Sequence, residues 1–166
     1  MMTPQLKERA IAVIVNNRPD VLARIAGTFS ARGFNIESIS ANVTRNPAVT
    51  KIVITTLTTP ETITKVVKQL NRLVDVLEVH RIRRGQAIWR EMILARIPLD
   101  GKEAALQELL DSRGGKIVGR DSNSAVVEFT GDREAIEEIL ISPETLGMED
   151  LIRSGVVALE RGKPGT

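Results

Sequence analysis

The chain has 166 residues, enough for one ordinary domain or two small ones of about 75 residues each. It contains no Cys, which excludes disulfides, thiolate zinc sites and cysteine nucleophiles, and its three Phe, one Trp and no Tyr are too few aromatics for stacking on single-stranded nucleic acid. Its 23 basic and 21 acidic residues leave a net charge of +2, which is no electrostatic footprint for nucleic acid or an anionic membrane.

The first predicted element is the apolar run Ala10–Val15, β-branched at four of its six positions, which suits a strand buried on both faces. Pro19 then occupies a favoured first helical position, and Val21, Leu22, Ile25, Ala26 and Phe29 follow at helical spacing until Gly33 closes the helix. Asn35–Thr44 alternates as a strand, Asn46-Pro47 marks a turn, and Lys51–Thr58 reads as its hairpin partner. Thr59 is a good cap for a helix whose stripe is Ile63, Val66, Val67 and Leu70. Val74–Ile82 alternates as a closing strand.

The order then repeats. Ile88–Leu99 reads as a strand, and Ala104–Leu110 as a helix stopped by Gly114-Gly115. Lys116–Arg120 and Ala125–Thr130 pair across Ser122-Asn123, and Asp132 caps a helix running to about Ile141. Ser142-Pro143 interrupts it, Met148–Ile152 adds further helical turns, Val156–Leu159 closes the unit, and Gly162–Thr166 is expected to be disordered. Two β-α-β-β-α-β copies make an α+β chain with two ferredoxin-like domains. The expected division is residues 1–82, a linker at 83–87, and residues 88–166. Each unit has a second sheet face and sheet edges to cover, which points to dimerisation or edge-to-edge joining. Met1–Arg9 lacks the apolar stretch of a signal peptide, and no run approaches the roughly 18 apolar residues of a membrane helix. A cytoplasmic location with no membrane partner is expected.

Catalytic chemistry finds no constellation. His80 is the one histidine and has no nucleophile to serve, while Glu37, Glu78 and Glu91 lie on different elements. Gly114-Gly115 lacks the flanking Lys-Ser/Thr pair of a phosphate loop and the spacing of a dinucleotide fingerprint, and no acid or His cluster has metal-ligand spacing. What remains is a binding arrangement. Asn16 to Leu22 leads from a strand into a helix N-terminus, whose free amides attract a carboxylate, and Asn17 adds a side chain that both donates and accepts. Asn35-Ile36 opens the next strand and can meet the same pocket from a neighbouring subunit. A plain loop and helix cap would present the same residues.

The segment NNRPDVLARIAGTFSARGFNIESI, Asn16–Ile39, resembles the signature of ACT domains in acetohydroxyacid (acetolactate) synthase small subunits, with GFNIES the most specific part. LVDVLEV at Leu73–Val79, REMILARI at Arg90–Ile97 and RSGVVALERG at Arg153–Gly162 resemble later stretches of the same family, in order. The resemblance implies a non-catalytic regulatory subunit in branched-chain amino acid (valine, isoleucine, leucine) biosynthesis. It implies a homodimer through the ACT domains and docking on a large catalytic subunit. Thiamine diphosphate, Mg and FAD would sit on that subunit and no cofactor on this chain. The resemblance also implies activation of the partner and allosteric feedback inhibition by a small amino-acid effector, usually valine. Carried across by position, it points to Asn17, Asp20, Val21 and Leu22 from one chain and to Asn35 and Ile36 from the other. Arg153–Gly162 separates this family from a free-standing tandem-ACT sensor, which is the alternative. Asp20 stands where the family pattern carries Gly. Facing a ligand carboxylate near 4 Å, it would cost about 4 kcal/mol, roughly a thousandfold in affinity. Turned outward, it would instead stabilise the first helical turn.

Overall fold

The computed structural model describes residues 6–141 and 146–162. The described residues pack as two compact units, one drawn from Met1–Ile88 with Val156–Thr166 and the other from Trp89–Gly155.

The first unit runs β1 (Lys7–Asn16), α1 (Val21–Ser30), β2 (Ser38–Val43), β3 (Val49–Thr58), α2 (Pro60–Leu70) and β4 (Val76–Ile82). Its antiparallel sheet has the order β2-β3-β1-β4. Pairing of Ile11 with Ile54 and Val13 with Ile52 puts four branched side chains on one face. Over them α1 lays Val21, Ile25 and Phe29, and α2 lays Ile63, Val66 and Leu70. The spacings of three and four are what bring these residues onto one side of each helix. Each such side chain, fully buried, contributes about 1.5–3 kcal/mol. The Thr59 hydroxyl accepts from the Thr62 amide at 3.2 Å and caps α2. On the opposite face Ala10, Ala12, Val53 and Thr55 are buried as well. Ser38 shares that face, and its Oγ accepts from the Val156 amide at 3.2 Å. The centre of this face is therefore buried, while the edge strand β2 keeps Ile39 and Val43 exposed.

In the second unit β5 (Ala87–Pro98), α3 (Glu103–Arg113), β6 (Lys116–Arg120), β7 (Ser124–Gly131), α4 (Arg133–Ile141) and β8 (Asp150–Arg153) repeat the topology, with sheet order β6-β7-β5-β8. Ile93, Ala95 and Ile97 of β5 pack with Phe129, Val127 and Ala125 of β7 beneath Leu106, Leu109, Leu110, Ile136 and Ile139. The Asp132 carboxylate accepts from the Ala135 amide at 2.9 Å, the cap expected for α4. Trp89 is buried. A further strand, β9 (Val157–Glu160), pairs with β5, and the Arg161 amide donates to the Gln86 carbonyl at 2.8 Å.

Two expectations need correction. Met148–Ile152 is not helical: Asp150–Arg153 is a strand, antiparallel to β5, with Ile93 opposite Arg153 and Arg96 opposite Asp150. Met148, Leu151 and Ile152 have helical spacing, but the open side of β5 needs backbone partners and takes precedence. It is therefore β8, and not Val156–Leu159, that completes the second β-α-β-β-α-β copy. Pro19, secondly, is not the first helical residue. The Val21 amide donates to the Arg18 carbonyl at 3.3 Å, so the chain turns at Pro19-Asp20 and α1 starts at Val21. The expected break at Ser142-Pro143 and the end of the tail lie outside the described residues. Among those described, no helix is long and apolar enough to cross a membrane.

Candidate effector site

The loop after β1 is fixed at both ends. The Asn16 amide donates to the Asp75 carbonyl at 2.9 Å, and the Asn17 amide donates to the Ala48 carbonyl at 2.8 Å. Asn17 Nδ2 reaches the Pro47 carbonyl at 2.9 Å, which leaves the amide oxygen of its side chain for another partner. These anchors set the direction in which the chain enters α1. Asp20 is the N-cap residue, at φ −94° and ψ −7°, but its carboxylate makes no cap hydrogen bond. With that cap missing, the amides of Leu22 and Ala23 in the first turn have no acceptor among the described residues.

Asp20 instead turns along the helix. Its Oδ2 lies 2.7 Å from Arg24 Nη2, and its side chain remains 66% exposed. The same Arg24 nitrogen lies 2.7 Å from Asp75 Oδ2. Asp75 is only 9% exposed at its side chain and also takes Arg18 Nε at 3.4 Å and Asn16 Nδ2 at 3.3 Å. The Asn16 hydrogen bond, with Arg24 and Arg18 beside it, holds the Asp75 carboxyl below the usual aspartate range against the opposing effect of burial. The helix start thus carries two carboxylates and two guanidinium groups in one connected cluster, close to neutral as a whole.

The structure brings Asn17, Asp20 and the exposed Leu22 together at the start of α1. Val21 points into the core and can act only through the backbone. Asn35 and Ile36 lie beyond the opposite end of the helix. Gly33, at φ +66°, reverses the chain there, a conformation natural to Gly, and the Phe34 amide returns to the Phe29 carbonyl at 3.1 Å. The Asn35 carbonyl accepts from Thr56 Oγ1 at 2.7 Å, so the strand starts only at Ser38, later than the Asn35 expected. Asn35 and Ile36 line a cavity of about 360 Å³ with Phe29 and Phe34. A ten-residue helix is about 15 Å long, so within one chain the two halves of the expected pocket lie too far apart for one small amino acid.

Asn16, Arg18, Arg24 and Asp75 were not among the site residues expected from sequence. The Asp20–Arg24 pair was legible as an i, i+4 pair of opposite charge. Asp75 gave no local signal, because it reaches the site from the start of β4. His80 lies with Nδ1 3.1 Å from Glu78 and Nε2 3.4 Å from Glu160. Glu91 is bound in the second unit by Arg153, whose Nε and Nη2 reach its two oxygens at 2.8 and 2.7 Å while Nη1 reaches Glu137 at 2.9 Å. The Glu91 hydrogen bonds, then those of Glu137, make Arg153 harder to deprotonate than an ordinary guanidinium. Among the described residues no group of three His, Asp or Glu is placed to hold a metal ion.

Comparison with known proteins accounts for both units. Residues 11–78 match the model of the AHAS small subunit-like ACT domain, and residues 90–162 match that of the small subunit of acetolactate synthase. The probable acetolactate synthase small subunit of Archaeoglobus fulgidus is 33% identical over 156 residues, covering 93% of this chain and 98% of that protein. The acetolactate synthase small subunit of Mycobacterium leprae is 32% identical, covering 96% of this chain and 95% of that protein. The crystal structure of the Thermotoga maritima small subunit superposes with a TM-score of 0.85 at 31% identity, over 94% of this chain and 98% of that one. With the two models matched in order along nearly its whole length, the chain belongs to the acetolactate synthase small-subunit family, with an ACT domain over residues 11–78.

Proposed function

We propose that this chain is the regulatory subunit of an acetolactate synthase. It performs no catalysis itself, docks on a large catalytic subunit that carries thiamine diphosphate, Mg and FAD, and raises that subunit's activity. It also makes the holoenzyme subject to feedback inhibition by valine or a related branched-chain amino acid. The carrying observation is that both units match, in order, the two models of the small subunit. Nothing in the composition calls for a location outside the cytoplasm.

Effector binding is placed between two copies. The unpaired Leu22 and Ala23 amides suit a carboxylate, Asn17 supplies a side-chain acceptor for an ammonium group, and Leu22 offers apolar contact. Asn35 and Ile36 of the other copy would complete the pocket, since one chain holds them at the far end of α1. The exposed Ile39 and Val43 on edge strand β2 suit a dimer joined along that edge. Asp20 lowers affinity for the effector carboxylate, and Arg24 offsets part of that cost.

The test is to mix the chain with its cognate thiamine-dependent large subunit and follow acetolactate formation with and without valine. Activation on mixing, followed by inhibition at rising valine, is the expected result. No complex and no activation would overturn the proposal.

A further inference from the structure

A second cavity in the first unit, of about 730 Å³, shares no lining residue with the α1 site. It opens along β4 and the 3₁₀ turn at Arg84–Gln86, and Arg81, Arg83, Glu160 and Arg161 line it. A volume of this size is that of a small-molecule site.

Its charges are unbalanced. Arg81 donates to the Thr64 hydroxyl, which orients it from α2. Arg83 and Arg161 have no acidic side chain in ion-pair range among the described residues. The one carboxylate in the wall, Glu160, lies 3.4 Å from His80 Nε2. The lining carries three arginines against one glutamate, an excess of two positive charges. The backbone bond from Arg161 to Gln86, 2.8 Å long, holds the two sides of the cavity together. Planar guanidinium forks match the paired oxygens of phosphate and carboxylate groups better than an ammonium does.

We propose that this cavity binds a small dianion, a phosphate-bearing molecule or a dicarboxylate, with Arg83 and Arg161 as its two forks and Arg81 as support. The site is separate from the effector pocket proposed above and does not depend on it. A bound dianion would tie the β4–β5 turn to the end of β9.

The experiment is calorimetric titration of the full chain with inorganic phosphate and, separately, with succinate, at an ionic strength held constant with sodium chloride. Saturable binding of either anion is expected, and which of them binds identifies the source of the charge. Arg83→Gln and Arg161→Gln should each weaken it by about tenfold or more. Arg83→Lys keeps the charge but loses the fork and should fall between, which keeps the test valid where a glutamine variant fails to fold. Arg113→Gln, whose partner is Glu138 on α4, should change nothing. Absence of saturable binding at millimolar phosphate and succinate would overturn the proposal. Binding that Arg83→Gln and Arg161→Gln leave unaltered would overturn it equally.

Discussion

Replacing Arg153 by Met should destabilise the second unit more than any change at an exposed ion pair. Glu91 is 3% exposed, and its two oxygens take Arg153 Nη2 and Nε at 2.7 and 2.8 Å. Methionine keeps the apolar stem and removes the charge, so a buried carboxylate is left alone. Removing one partner of a buried pair costs about 3–5 kcal/mol. Arg153 is itself 29% exposed, so water can reach the vacated place, and the lower end, about 3 kcal/mol, is expected. For a chain of this size that is a fall in Tm of about 6–12 °C. Urea unfolding followed by circular dichroism measures it. The double variant Glu91→Leu/Arg153→Met removes both charges together and should return close to the parent stability, since an apolar pair often matches a buried ion pair. Glu137, being well exposed, is rehydrated at little cost. A double variant as unstable as Arg153→Met, or an Arg153→Met loss under about 1 kcal/mol, would refute the assignment of Glu91 as a charge that depends on its partner.

Gly115→Ala should cost about 1–3 kcal/mol by overpacking, because a Cβ there would stand 2.3 Å from Phe129 Cε1 and 2.7 Å from Leu110 Cδ2. Gly114→Ala meets open space but a φ of +69°, so it should cost only about 1 kcal/mol, and urea midpoints that reverse this order would contradict the packing. The depressed Asp75 carboxyl makes stability depend on acid: its contribution is present above the ordinary aspartate range and is lost as pH falls through the folded-state value. Asp75→Asn should therefore lower stability at neutral pH and flatten the acid side of the stability–pH curve, and an unchanged acid slope would rule the cluster out as a source of it. Valine titrated into Asp20→Gly should bind about tenfold tighter than into the parent rather than a thousandfold, because Arg24, 2.7 Å from the carboxylate, already offsets most of its charge. Arg24→Gln should move affinity the other way, and equal valine affinity in all three proteins would remove Asp20 from the site.

The fold was legible wherever local pattern and tertiary need agree. The stripe Ile63, Val66, Leu70 behind Thr59-Pro60 gave α2, and Asp132 before Ile136 and Ile139 gave α4, because in both the cap and the buried face are set by nearby residues. The pattern failed around Asp150–Arg153. Three apolar residues at helical spacing describe a helix as well as a strand, and the deciding fact is a free edge on β5 more than fifty residues earlier in the chain. The same limit hid where the strand read at Val156–Leu159 belongs, since the grouping of β9 with the first unit is a property of the folded chain alone. Buried charge was equally silent: nothing near Glu91 in sequence announces Arg153.

For the candidate site, the sequence reading singled out the loop before α1 and left two orientations open for Asp20. Read alone, Asp20 is an uncompensated carboxylate beside amides that should receive another carboxylate, and the penalty looks prohibitive. Folding adds Arg24 one turn later and Asp75 from the start of β4, and these two fix where the Asp20 charge points. Because Arg24 is shared between both acids, its position does not rest on Asp20 alone. An effector carboxylate arriving at the Leu22 and Ala23 amides would thus meet a nearly neutral cluster and not a bare negative charge. Glycine at position 20 would free the backbone but also release one of the two acids that hold Arg24. Asp20 and Arg24 are therefore coupled, and their effects on effector affinity should not add: removing Asp20 from a chain that already lacks Arg24 should improve affinity more than removing it from the parent.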